Sequence, residues 1–135
     1  MDLRVSTSYE GLATAKEAAG IVQKCVHCGF CNATCPTYQL LGDELDGPRG
    51  RIYLMKSMLE GNPVSEHTQL HLDRCLTCRS CESTCPSGVR YGRLLEIGRE
   101  VAEQQVRRSL KDRLVRFALR KIMTSRKWLG LLSRI

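Results

Sequence analysis

Eight cysteines stand in two runs of identical spacing, and side chains of this type in this pattern can bind metal. Each run reads Cys-x2-Cys-x2-Cys-x3-Cys-Pro, and each cysteine of the second run lies 50 positions after its counterpart in the first. This spacing is typical of cysteines that ligate cubane iron-sulfur clusters. No cysteine stands outside the runs, so the pattern predicts two 4Fe-4S clusters and an electron-transfer chemistry.

The fourth cysteine of each run is predicted to ligate the cluster of the other run, as in two-cluster patterns of this spacing. The first cluster is then held by Cys25, Cys28, Cys31 and Cys85, and the second by Cys75, Cys78, Cys81 and Cys35. Neither set is complete until both halves of the chain have folded against each other. Metal binding and folding should therefore be coupled.

Three other uses of the cysteines compete with this prediction. A zinc module would employ two pairs of cysteines and leave the third cysteine of each run without a role, so zinc is kept as the alternative. Disulfides are disfavoured because cysteines three residues apart in a helical turn pair poorly and no export signal is present. A thioredoxin-like site would need one C-x-x-C motif beside a strand and a helix, a pattern that this sequence does not show.

Charge divides the chain of 135 residues into two parts. Residues 1–104 carry 11 basic and 13 acidic residues, whereas residues 105–135 carry 10 basic residues and the single acid Asp112. We therefore expect a cluster-binding domain over 1–104 and a basic amphipathic helical tail or linker over 105–135. No apolar stretch reaches the roughly 18 residues of a spanning helix and no signal peptide is recognisable, so a cytoplasmic location is expected.

The segments between the cysteines predict helices and no strands. Apolar residues recur at helical spacing over 9–24 and again over 91–106. Pro48 is placed to begin a helix, and Ser65 is placed to cap another that runs from Glu66 to about Arg74. The expected fold is all-α, a helical two-cluster ferredoxin with a pseudo-twofold internal repeat.

Two segments carry a family resemblance. They are CVHCGFCNATCPTYQLLGDELDGPRGRIYLMKSMLEGN and HLDRCLTCRSCESTCPSGVRYGRLLEIGRE, and over residues 21–106 the chain resembles the iron-sulfur subunits of glycolate oxidase. The linker GDELDGPRGRIYLMK and the flank CPSGVRY make the resemblance more specific than the cysteines alone. Subunits of lactate-utilisation and anaerobic glycerol-3-phosphate dehydrogenase complexes are similar more loosely.

The resemblance implies a partner and a reaction. In the family, the two-cluster domain accepts electrons from a flavin subunit that oxidises glycolate to glyoxylate and passes them toward a membrane acceptor. Substrate chemistry would then take place in another subunit, and this chain, which lacks a glycine-rich dinucleotide motif, would carry electrons only. The family's further domains with Cys-Cys-Gly motifs have no counterpart in this sequence.

Several charged residues have both a functional and an ordinary interpretation. Arg49 and Arg51 could place positive charge beside a cluster, or they could lie in a solvated first helical turn. His67 and His71, four residues apart, could form a metal-binding face with Cys75, although ordinary surface histidines are the preferred interpretation. His27 could donate to a cluster sulfur or lie exposed in its loop.

The basic tail alternates its charges with apolar residues, including Leu110, Leu114, Phe117 and Trp128. The pattern fits a linker helix that packs against a further domain, and it also fits a helix lying on the cytoplasmic face of an anionic inner membrane. Nucleic acid is not expected as a partner because aromatic residues are few and no recognised binding motif is present.

Overall fold

A computed structural model describes residues 1–9, 11–126 and 130, and in that part the protein is all-α, without strands. Two 3-10 turns, Thr7–Tyr9 and Glu44–Asp46, accompany the helices. Trp128, Leu129, Leu132, Lys127 and Arg134 of the predicted tail lie outside the described residues. The helices are α1 Ala13–Lys24, α2 Phe30–Ala33, α3 Pro36–Leu41, α4 Pro48–Leu59, α5 Glu66–Asp73, α6 Ser80–Thr84, α7 Tyr91–Gln105 and α8 Leu110–Thr124.

Helix starts follow the local sequence signals. Pro48 occupies the first turn of α4, where its fixed φ suits a helix and its missing N–H costs no hydrogen bond. Ser65 Oγ accepts a hydrogen bond of 3.2 Å from the backbone N–H of Thr68 and so caps α5. Gly42, at φ 66°, ends α3 in the left-handed conformation that glycine adopts readily. The predicted beginnings of α4 and α5 are confirmed.

The hydrophobic core forms around α7, which packs against α1, α4 and α5. One face of α7 buries Leu94, Leu95, Ile97 and Ala102 at helical spacing. It meets buried side chains that come from the other three helices, namely Ala15, Ala18, Ile21, Val22, Ile52, Met55, Met58 and Leu72. The core thus lies behind the cysteine loops and fixes where each loop leaves its helix.

The two cysteine runs fold in the same way. Three backbone hydrogen bonds of the first run, Cys25 N to Val22 O, Asn32 N to Gly29 O and Cys35 N to Asn32 O, recur exactly 50 positions later in the second. The short helices α2 and α6, one from each run, pack against each other. The expected internal repeat is therefore present at the level of the backbone.

A close backbone approach holds α4 against the turn that precedes it. A Cβ atom built on Gly50 would lie 2.1 Å from the carbonyl oxygen of Glu44, so only glycine fits in this first turn. The approach brings Asp46, in the 3-10 turn, onto the same side as Arg51 of α4. This contact positions the polar cluster described below.

Helix α8 lies apart from the core. It contains no buried residue, and it is connected to the rest through Asp73, whose carboxylate binds Arg108 at 2.5 Å and Arg116 at 3.0 Å. Ser109 caps its start by accepting from the N–H of Asp112. No helix within the described ranges is long and apolar enough to cross a membrane.

Candidate metal centre

The eight cysteines line two neighbouring cavities. Cys25, Cys28, Cys31 and Cys85 line the first cavity, and Cys35, Cys75, Cys78 and Cys81 line the second. Cys81, Pro48 and Tyr91 reach both cavities and form the wall between them. The last cysteine of each run therefore lies at the cavity of the other run, and none of the eight thiols forms a disulfide.

The loops around the cavities use an unusual backbone conformation. His27 and Thr77, equivalent by the 50-residue offset, have φ of 56° and 55°, and the equivalent pair Gly29 and Arg79 have φ of 83° and 60°. Left-handed residues alternating with right-handed ones turn successive N–H groups toward one point and make an anion-binding concavity. Side chains other than glycine adopt this region at a cost of about 1 kcal/mol each, so the loop shape is held by its surroundings.

Backbone N–H groups lie close to two of the sulfurs. Burial raises the pKa of the Cys25 thiol, and the nearby backbone N–H of His27 opposes this effect. The nearby backbone N–H of Ser80, with a contribution from the Ser80 hydroxyl, lowers the pKa of the Cys78 thiol. Donors of this kind stabilise thiolate sulfur and the charge of a bound cluster.

The donor set fits an iron-sulfur cluster. Burial raises the pKa of Cys31 to about 11 and that of Cys81 to about 12, with the neighbouring cysteines adding to the increase. Four converging thiols of this kind become thiolates together only when a metal compensates their charge. At the first cavity, His27 also has a buried Nε2 atom without a hydrogen-bond partner among the described residues, which a bound group could satisfy.

A buried polar cluster, which no local sequence pattern indicates, adjoins the second cavity. Asp46 and Arg51 are fully buried, with 3.3 Å between Asp46 Oδ1 and Arg51 Nη2. Asp46 Oδ1 also lies 2.9 Å from His71 Nδ1, and Arg74 Nη1 donates to Asp46 Oδ2 at 2.9 Å. Arg51 Nε donates to the His71 carbonyl at 2.7 Å, and both of its Nη atoms donate to Thr37 Oγ1 at 3.2 Å.

The acidity of Asp46 reflects these contacts. Burial alone would raise the pKa of its carboxyl group, but hydrogen bonds from His71 and Arg74 outweigh that effect and lower it. The carboxylate is therefore the common partner of three groups, two of which carry fixed positive charge. The cluster surrounds Thr37, whose Oγ1 lies 3.2 Å from Cys35 Sγ.

The structure distinguishes between the alternatives for the charged residues. Arg51 is buried at the second cavity, so its interpretation as a solvated residue was wrong, while Arg49 lines the first cavity and pairs with Glu44 at 2.6 Å. His67 is exposed as expected, but His71 is buried and its ring contacts Asp46 and His67, whereas the metal-face hypothesis required Cys75. The preferred interpretation, an ordinary surface histidine, is therefore wrong for His71.

Positive groups also hold the carbonyl oxygens where each loop begins. Arg99 of α7 donates to the carbonyl oxygens of Leu72, Asp73 and Cys75, the last at 2.7 Å. At the equivalent place in the first half, the amino group of Met1 donates to the carbonyl oxygens of Gln23 and Cys25. The sequence carries no short-range signal for Arg99, because it lies 24 residues from Cys75.

Comparison with known proteins gives two similar chains. Over 123 residues the chain is 68% identical to the glycolate oxidase iron-sulfur subunit of Escherichia coli strain K12, which covers 91% of this chain and 30% of the relative. It is 46% identical over 99 residues to the probable glycolate oxidase iron-sulfur subunit of Bacillus subtilis strain 168, covering 72% of this chain and 22% of the relative. The chain thus spans less than a third of the length of either relative. No solved structure gives a significant match.

The family comparison covers the part of the chain that contains all eight cysteines. The profile that matches describes a 4Fe-4S dicluster domain, and the match extends over residues 21–89, from the end of α1 to the residues before α7. The polar cluster around Asp46 falls within it, and so do the residues that line both cavities, apart from Tyr91. With its paired cysteine runs, all-α repeat and matching profile, this chain belongs to the 4Fe-4S dicluster domain family.

Proposed function

We propose that this chain is an electron-transfer module that holds two 4Fe-4S clusters by crossed ligation. The first site would comprise Cys25, Cys28, Cys31 and Cys85, and the second Cys75, Cys78, Cys81 and Cys35. The observation that carries the proposal is the exchange of Cys35 and Cys85, each of which lines the cavity of the opposite run. A role in electron transfer through iron-sulfur chemistry agrees with the family.

When bound, such clusters take up and release single electrons. The residues of the chain position the sulfurs and limit access of water. Ile52, Val89 and Tyr91 provide apolar walls, while Cys28 and Cys78 are exposed and bring one sulfur of each site to the surface. An electron partner can therefore approach either site at its exposed cysteine.

Metal analysis tests the proposal against the zinc alternative. We expect anaerobically purified protein to contain about eight iron atoms and about eight acid-labile sulfides per chain, because two cubanes supply these numbers. Inductively coupled plasma spectrometry and a sulfide assay would measure them. Zinc without sulfide would refute the proposal and favour a structural zinc module.

We further propose that the module serves a flavin-linked glycolate oxidase. One relative, 68% identical, carries the name glycolate oxidase iron-sulfur subunit, and a second, 46% identical, carries the name probable glycolate oxidase iron-sulfur subunit. A flavin subunit would oxidise glycolate to glyoxylate and reduce this chain, which would pass the electrons toward a membrane acceptor. To identify the substrate, the chain is copurified with its flavoprotein partner, and glycolate, lactate or glycerol 3-phosphate is added anaerobically. The substrate is the compound that bleaches the cluster absorbance.

Helix α8 supports a proposal about location, namely that the chain is cytoplasmic and contacts the inner membrane through residues 105–135. Leu110, Leu114 and Phe117 are exposed along one side of α8, and Arg113 and Arg120 lie beside them. An exposed helix with this composition is suited to the surface of an anionic bilayer. That α8 buries nothing in the core also supports a separate unit beyond residue 104.

Charge reversal on α8 tests this contact. Exchanging Arg113→Glu and Arg120→Glu together should reduce binding to phosphatidylglycerol vesicles at least about tenfold, since each basic residue contributes about 1 kcal/mol near an anionic surface. Flotation of the holoprotein with vesicles measures the bound fraction, and Lys16→Glu on α1 is the control variant. Unchanged binding, or equal binding to neutral phosphatidylcholine vesicles, would instead support packing of α8 against another protein domain.

A further inference from the structure

The two cysteine sites differ in the hydroxyl groups that contact their sulfurs. Thr37 Oγ1 lies 3.2 Å from Cys35 Sγ, and the Tyr91 hydroxyl donates to Cys75 Sγ at 3.6 Å. Both of these sulfurs belong to the second site. Within the described ranges, no side-chain hydroxyl bonds a sulfur of Cys25, Cys28, Cys31 or Cys85.

The difference comes from positions where the internal repeat is broken. Fifty residues before Tyr91 stands Leu41, which carries no hydroxyl. Fifty residues after Thr37 stands Ser87, which lines the first cavity without a bond to a sulfur. The two halves therefore share a backbone but not these donors.

Ligation strengthens the contact at Thr37. As a thiolate, Cys35 has no proton to donate and can only accept, and Thr37 carries the one hydroxyl hydrogen near it. This hydrogen can also bind the Asp46 carbonyl at 2.7 Å, but a charged acceptor forms the stronger bond. Both Nη atoms of buried Arg51 donate to the same oxygen, which polarises the hydroxyl toward the sulfur.

Fixed charge favours the same site. Beside the second cavity, the fully buried Arg51 and the half-exposed Arg74 share the single carboxylate of Asp46, so this cluster carries one more positive charge than negative, with the Arg74 end open to solvent. At the first cavity, the charge of Arg49 is matched by Glu44 in a half-exposed pair. The amino group of Met1 lies nearby but donates to carbonyl oxygens, not to a sulfur.

We propose that Thr37 and Tyr91, with Arg51 behind Thr37, give the second site the higher reduction potential, so that electrons run from the first site to the second. Reduction adds negative charge, and hydrogen bonds to sulfur stabilise the reduced form. The inference rests on the proposed function. In the transfer, the first site is oxidised by one electron and the second reduced by one, without a proton. A reduced flavin of a partner supplies the electron and a higher-potential acceptor removes it.

The two sites can be distinguished by variants of their exposed cysteines. Cys78→Ser disables the second site and Cys28→Ser the first, so the electron paramagnetic resonance signal that each variant retains identifies one site. We expect holoprotein reduced with one electron equivalent per chain to show mainly the signal that Cys28→Ser retains. Mainly the signal retained by Cys78→Ser would overturn the proposal.

Variants of the hydroxyl residues test the cause. Thr37→Val and Tyr91→Phe should each shift the second-site midpoint to a lower potential in an anaerobic redox titration and leave the first-site midpoint in place. Thr37→Ser keeps the hydroxyl and should restore the potential, while Ser87→Ala at the first cavity should shift neither. Equal midpoints in wild type and Thr37→Val, with both clusters loaded, would overturn the inference alone. Wild-type protein without two clusters would instead refute the proposed function.

Discussion

Cys35→Ser is expected to remove the second cluster and leave the first, although Cys35 belongs to the first cysteine run. Iron and sulfide should fall from about eight to about four per chain, because the remaining three thiolates at the second site hold a cubane poorly. The physical reason is that Cys35 lines the cavity of Cys75, Cys78 and Cys81. Metal analysis and electron paramagnetic resonance of anaerobic protein measure the loss.

The exposed cysteines supply matched controls for this experiment. The spectrum of Cys35→Ser should resemble that of Cys78→Ser, in which the second site loses a ligand that comes from the second run. It should differ from the spectrum of Cys28→Ser, in which the first site loses a ligand. If each cluster were instead ligated within its own run, the spectrum of Cys35→Ser would resemble that of Cys28→Ser. Cys85→Ser should reciprocally resemble Cys28→Ser, since Cys85 lies at the first cavity.

The cysteine loops and the helix starts between them could be predicted from sequence because their determinants are local. Ligand spacing, Pro48 at a helix start and Ser65 at a helix cap each depend on a few neighbouring residues. The repeat of 50 residues then related the two halves to each other. The helical fold class followed from the same short-range signals and is confirmed.

The polar cluster could not be predicted in the same way. Asp46 stands in a segment with the turn-rich sequence GDELDG, which normally lies in solvent, and His71 is 25 positions away. Burial of Asp46 results from the close approach of α4 at Gly50 and from α5 packing over it. A conformation such as that of Arg79, at φ 60°, likewise contradicts residue preference and is held by the loop around it.

Asp46→Asn is expected to lower the free energy of unfolding by about 3 to 5 kcal/mol, which is the second large effect. Removing the carboxylate leaves Arg51 buried without an opposite charge, and breaking one side of a buried pair is strongly destabilising. Anaerobic urea unfolding of the holoprotein, followed by far-ultraviolet circular dichroism, measures the change. Glu44→Gln is the matched control, because its half-exposed pair with Arg49 should contribute at most about 1 kcal/mol.

The pH dependence of stability gives an independent test of Asp46. Because the folded-state pKa of this carboxyl is lowered, its contribution is fully present above the unfolded value of about 3.9 and is lost as the pH falls through the folded value. Wild-type protein should therefore lose more stability than Asp46→Asn when the pH decreases below about 4. Parallel curves for the two proteins, or equal destabilisation by Asp46→Asn and Glu44→Gln, would mean that the buried carboxylate is not the charge that balances Arg51.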